Sequence, residues 1–243
     1  MDTLWDDGLA EVAVYDAERE VYGKKREFEY TQVTVKGDFN REHNVKTDDY
    51  SCQDLFPVMK INQFCRIPTD NYPYHYLTSV FVHREQPWAL HKLTSTSQEW
   101  CGNTFKAITA ESDHFKQYYN SYFDGQGEGE RDLPGDLLAE DQLSYTLRSL
   151  RFKDSTAFEI DVLETQQTNQ SKEPVVYENA KVSSVGVMFN NVPAWKVDVQ
   201  LAEGKTNTYW FAKAYPNQLL EQKTWDGRNY KLKKMSRYAY WQH

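Results

Sequence analysis

Residues 74–108 constrain this chain more than any other stretch. Residues 76–84 read Tyr, Leu, Thr, Ser, Val, Phe, Val, His, Arg. Such a β-branched and aromatic run suits a pleated, half-buried surface. Glu85, Gln86, Pro87 and Trp88 follow. Proline lacks the amide hydrogen a strand ladder needs, so a turn is expected there. Residues 89–100 return, with Thr94, Ser95, Thr96 and Ser97 at their middle. Four small hydroxyl residues in a row make no apolar helix face, but they suit a strand with one wet side. Gly102 and Asn103 favour the positive φ of a two-residue hairpin turn, with a bulge at Cys101 and Gly102 as the alternative. Residues 104–108 then leave in the opposite direction. With the first turn at 85–88, Val80 and Val82 share a face with His91 and Leu93. Phe81 and His83 share the other with Leu90 and Lys92. A one-residue change in loop length exchanges the two faces.

Similar segments recur along the chain. Residues 6–20 and 28–35, the latter closed by Gly37 and Asp38, read as a first hairpin, and 55–66 as another strand. Residues 114–123 carry Phe115, Tyr118, Tyr119, Tyr122 and Phe123. The second half offers strands at 157–164, 175–189, 194–201, 206–212, 218–225 and 229–235, with hairpin turns at Glu203-Gly204 and Asp226-Gly227. A helix is expected over 136–150, capped by Asp136, with Leu143, Leu147 and Leu150 on one face. One amphipathic helix in a β-rich chain covers a face or plugs an end of a sheet. Residues 124–135 hold Gly125, Gly127, Gly129 and Gly135 among acidic residues. They lack a Gly-Lys-Ser/Thr end, and their carboxylates repel phosphate. They read as a flexible, solvated linker, and as the place for a boundary if residues 1–243 were not one domain. The fold class is therefore mainly β, or β-rich α+β: an antiparallel, strongly curved sheet or open barrel with one packed helix.

At 243 residues and 15% aromatics, the chain can bury a sizeable core in which aromatic rings supply much of the apolar area. Its net charge of −8 disfavours nucleic acid and anionic membrane surfaces. No apolar run approaches the roughly 20 residues of a membrane helix. No signal peptide is evident, which suits a cytoplasmic protein or one whose leader has been removed.

Cys52, Cys65 and Cys101 form no C-x-x-C pair. They read as small buried hydrophobes, with a Cys52–Cys65 bridge as the alternative in an exported protein. His75 and His83 lie eight residues apart on one strand, roughly 26 Å, too far to share an ion. No metal site or cofactor is expected. Cys101 with His91 or His75 as base is the one conceivable nucleophile; nearby Glu99 does not supply the electropositive setting a thiolate needs, and a packed turn cysteine is the simpler reading. The strongest functional hint is the aromatic residues on predicted strands and turns. Tyr76, Trp88, Trp100, Tyr118, Tyr122, Trp210 and Trp225 are the candidate ligand-binding residues, for an apolar or sugar-like ligand in a concave sheet.

Two regions resemble a known group. NYPYHYLTSVF at 71–81 with TSTSQEWCGNTF at 94–105, and TYWF at 208–211 through WDGRNYKL at 225–232, resemble a family of uncharacterised exported, often lipid-anchored proteins of Bacteroidetes-type bacteria. The C-terminal pattern is also similar to curled-sheet domains of unknown function like the half-barrels of periplasmic lipoprotein carriers. The resemblance implies export to the periplasm or cell envelope, with a membrane tether through a removed leader, and no catalytic residues. The first functional expectation is a non-enzymatic envelope protein with an apolar or lipid ligand in the concave face. The second is an interaction or scaffold protein without a small ligand. The third is an enzyme built on Cys101 and a histidine.

Overall fold

A computed structural model describes residues 3–152 and 156–242. Among the described residues the first half forms β1 (Ala10–Val21), β2 (Lys24–Asn40), β3 (Val45–Lys46), β4 (Leu55–Ile67), β5 (Tyr74–His83), β6 (Gln86–Glu99), β7 (Gly102–Ala110), β8 (His114–Ser121) and β9 (Glu128–Pro134). After these come β10 (Leu137–Ala139) and a single turn of α-helix, α1 (Leu143–Thr146), flanked by 3-10 turns at Glu140–Gln142 and Leu147–Ser149. The second half supplies β11 (Thr156–Leu163), β12 (Val176–Phe189), β13 (Val192–Ala202), β14 (Lys205–Ala212), β15 (Leu219–Lys223) and β16 (Asn229–Tyr238).

These strands make one curved, nearly closed barrel. Neighbours along the sheet run from β10 through β16, then β1, β2, β4 and on to β9. The first and last strands of the chain therefore pair with each other, with Ala10 opposite Tyr238. The two ends of the path are β9 and β10, which follow one another in sequence. Described pairs are antiparallel except β10–β11, which is parallel.

The expected curved sheet is present, and most strands fall within a residue or two of their sequence positions. The register of the central hairpin differs from expectation. Its turn is Arg84–Glu85, with His83 opposite Gln86, and the pairing shifts between Phe81 and His83. That shift places Leu90, not His91, with Val82 on the buried face. His91 instead packs outward against Phe39, Phe56 and His83. An irregularity in one strand flips the faces beyond it, and no local residue pattern marks where it falls. The next turn is Trp100–Cys101, so Gly102 opens β7 opposite Glu99. The first hairpin runs past Gly37 to Asn40, because β4 offers partners as far as Leu55.

Two further expectations change. Within the stretch read as a linker, Glu128–Pro134 is strand β9, paired along β8 from His114 to Asn120. The helical stretch begins at Glu140, not at Asp136, because residues 137–139 pair with β11 first. Leu143 and Leu147 are fully buried, and Leu150 packs against the same core. The leucine spacing thus located the buried face while the boundary moved. Two large apolar clusters fill the barrel: one around Tyr15, Tyr209, Phe211 and Leu143, the other around Met59, Ile61, Leu93 and Tyr145.

Candidate functional site

The barrel interior is filled from within. Many inward positions on the strands are polar: Gln32, Gln63, Ser95, Thr104, Lys106, Gln117 and Asn207 are all buried. Buried polar groups need partners, and two segments bring them. The helical stretch supplies the first set. Gln63 Nε2 donates to the Asp141 carbonyl at 2.8 Å, Ser144 Oγ to Gln32 Oε1 at 2.9 Å, and Thr146 Oγ1 to the Pro87 carbonyl at 2.8 Å. Two ion pairs bolt it in place. Arg148 grips Glu11 with both Nη atoms, at 2.7 and 3.0 Å. Glu140 Oε1 accepts from Arg228 at 2.5 Å and from Asn207 at 3.0 Å. The loop at 164–175 supplies the second set. Ser95 Oγ donates to the Gln166 carbonyl at 2.8 Å and Lys106 Nζ to the Gln170 carbonyl at 2.9 Å. The hollow expected to receive a guest is therefore occupied by the protein itself.

Space remains at the seam. Where β9 passes into β10, a cleft of about 700 Å³ opens between the start of β6, the β7–β8 turn, the helical stretch and β11. Its apolar lining includes Leu90, Phe115, Leu137, Leu147, Leu150 and Ile160. Its rim carries Glu111, Asp113, Asp136, Glu159 and Asp161, with His114 beside them. That combination, an apolar pocket in the usual size range with a few polar groups at its edge, is the common form of a small-ligand site. Gly135 closes one corner. A Cβ there would stand 2.4 Å from the Asp113 carbonyl oxygen, so only glycine lets the β9–β10 join pass this close to the β7–β8 turn.

The fold is similar to that of a solved protein. The crystal structure of a beta-barrel-like protein of domain of unknown function DUF1849 from Brucella abortus aligns with a TM-score of 0.53, over 95% of this chain and 98% of that one, at 9% sequence identity. At that identity the likeness shows a shared barrel fold. No family model and no curated protein matches the chain.

The seven aromatic residues singled out from the sequence do not gather in one place. Trp88 lines the seam cleft. Tyr76 lines a smaller cavity at the other end of β6, and Trp100 lies beside that lining, stacked on Tyr72. Tyr118 and Tyr122 are exposed on β8 and just beyond it. Trp210 packs on Phe189, and Trp225 is exposed beneath the Lys205 ammonium. Part of the cleft lining carries signals in the sequence. Leu147 and Leu150 belong to the leucine stripe, and Phe158 and Ile160 alternate along β11.

The cysteines are free. Cys65 is buried, Cys52 partly so, and Cys101 exposed, which corrects the reading of all three as buried. Burial pushes the Cys65 thiol up to about 12. Cys101 borders the smaller cavity with tyrosines, Glu99, Asn169 and Gln170, and neither His75 nor His91 is among its lining residues. His83 and His91 do meet, with ring centroids 5.4 Å apart. Burial and the neighbouring His83, Lys92 and Arg41 push His91 down to about 4. Nε2 of His91 lies 2.7 Å from Asn44 Oδ1. Both rings belong to the small apolar cluster of Phe39, Phe56 and Phe81.

Proposed function

We propose that this protein is a non-enzymatic binding protein of the bacterial cell envelope, and that its ligand lies in the seam cleft. The single observation that carries the reading is that cleft: an apolar floor framed by five carboxylates at the seam of the barrel. The floor suits an alkyl chain. About eight buried methylenes supply roughly 6 kcal/mol before the cost of association. The carboxylate rim disfavours an anionic head and suits a neutral or cationic one. The envelope location rests on the resemblance of residues 71–105 and 208–232 to exported, lipid-anchored proteins.

The test uses N-phenyl-1-naphthylamine, an uncharged apolar dye whose emission rises in a dry site. Saturable binding is expected, displaced more readily by dodecylamine than by laurate. Ile160→Glu places a charge on the half-buried cleft wall and is expected to abolish binding while the circular dichroism spectrum is retained. Absence of saturable binding, or binding untouched by Ile160→Glu, refutes the ligand site. Fractionation of host cells tests the location; recovery in the cytosolic fraction refutes the envelope part.

A further inference from the structure

A second cavity, of about 360 Å³, lies at the far end of β6. Trp88, which lines the seam cleft, and Glu99, which lines this cavity, are eleven residues apart along this strand, roughly 36 Å of extended chain. The two cavities are therefore separate. The second is built from the β1–β2, β4–β5 and β6–β7 turns and from the loop that fills the barrel.

Its wall carries a row of rings, Tyr72, Tyr74 and Tyr76, which Trp100 extends beyond the lining. Trp100 stacks on Tyr72, with centroids 5.9 Å apart and planes 24° from parallel. Tyr72 meets Tyr74 at 5.8 Å, and Tyr74 lies nearly parallel to Tyr76 at 6.1 Å. The outermost step is open to solvent: the Trp100 side chain is 78% exposed. Polar groups share the lining with these rings. Glu99 accepts from Asn169 Nδ2 at 3.2 Å, and Gln170 and Arg19 stand beside them.

Tyr22 gives an independent sign. It and Gly23 form the β1–β2 turn with φ of 55° and 68°. A bulky side chain is costly at positive φ, where asparagine or glycine is the favoured choice. Tyr22 is nevertheless 69% exposed, so core packing does not explain the choice. Its hydroxyl reaches those of Tyr72 and Tyr74. The hydrogen bond to Tyr22 is the largest cause that raises the Tyr72 phenol to about 12. Strain kept at an exposed position is a mark of function rather than stability.

We propose that this mouth is a binding site for a neutral saccharide. A pyranose ring has an apolar C–H face and a girdle of hydroxyls. The exposed Trp100–Tyr72 step matches the face. Glu99, Asn169, Gln170 and the Tyr22 hydroxyl match the girdle with acceptors and donors. Arg19 stands against Glu20 and Glu99, so the lining carries one net negative charge, which disfavours an anionic saccharide and leaves a neutral one.

The test is calorimetry and saturation-transfer NMR on the full chain with cellohexaose, maltohexaose, xylohexaose and chitohexaose. At least one is expected to bind with a dissociation constant of about 1 mM or tighter. Trp100→Ala is expected to weaken that binding at least tenfold. Trp88→Ala, at the other cavity, leaves it unchanged. Tyr22→Asn relieves the strained turn; its thermal stability holds or rises while affinity falls severalfold. Four results overturn the proposal: binding by none of the four, binding that survives Trp100→Ala, Tyr22→Asn without loss of affinity, or tighter binding of a nucleoside such as adenosine than of any saccharide. The naphthylamine assay reads the seam cleft separately, so the two sites stand or fall independently.

Discussion

Replacing Arg148 with methionine tests how the helical stretch is held. Its guanidinium is buried and makes two hydrogen bonds to Glu11 and one from Nε to the Pro216 carbonyl at 3.1 Å. Side-chain exposures are 4% for Arg148 and 2% for Glu11. Methionine preserves most of the volume but leaves the Glu11 carboxylate buried without a cation. Removing one member of a buried pair costs about 3–5 kcal/mol, most of it the desolvated partner charge. For a chain of this size, with a urea slope of about 3 kcal/mol per molar, the midpoint falls by about 1–1.7 M. Replacing both residues, as in Glu11→Leu with Arg148→Met, removes the stranded charge and is expected to recover most of the loss. Urea unfolding followed by circular dichroism measures both. A single variant that loses less than about 1 kcal/mol, or a double variant as weak as the single, refutes the claim that desolvation sets the cost.

Two further outcomes follow from the same structure. Burial pushes the Lys106 amine down to about 8, with Asp141 and Glu164 opposing and Arg131 adding to the shift. Because its folded value lies below the unfolded one, its charged form costs stability at neutral pH, and that cost fades as pH rises through 8 toward 10.5. Wild-type stability relative to Lys106→Met is expected to rise by on the order of 2–3 kcal/mol between pH 7 and pH 10 in chemical unfolding, and a flat difference refutes it. Gly135→Ala sets its Cβ against the Asp113 backbone at 2.4 Å, whereas Gly129→Ala meets the tip of the Tyr119 side chain, its hydroxyl at 2.8 Å and Cζ at 3.1 Å, which can swing aside. Thermal unfolding is expected to show a loss of about 2–3 kcal/mol for the first and under about 1 kcal/mol for the second; equal losses refute the distinction.

The sequence by itself determined which segments are strands and where many of them turn. Alternation along β4 and β5, and the glycines at Glu203-Gly204 and Asp226-Gly227, are local signals with local causes. The stripe of Leu143, Leu147 and Leu150 likewise announced a face to be buried. Tertiary structure decided the rest. The shift in β6 that turns His91 outward depends on what β5 and β4 present across the sheet. Pairing of 128–134 with β8 depends on an edge that exists only once β8 is in place. Nothing local to Gln32, Gln63 or Lys106 says that residues 140–149 and 164–175 will come to satisfy them, because their partners lie 62 to 112 positions away in sequence. Side-chain patterning encodes what a strand is. What fills the barrel, and where a cleft survives, is encoded only in the sum of distant contacts.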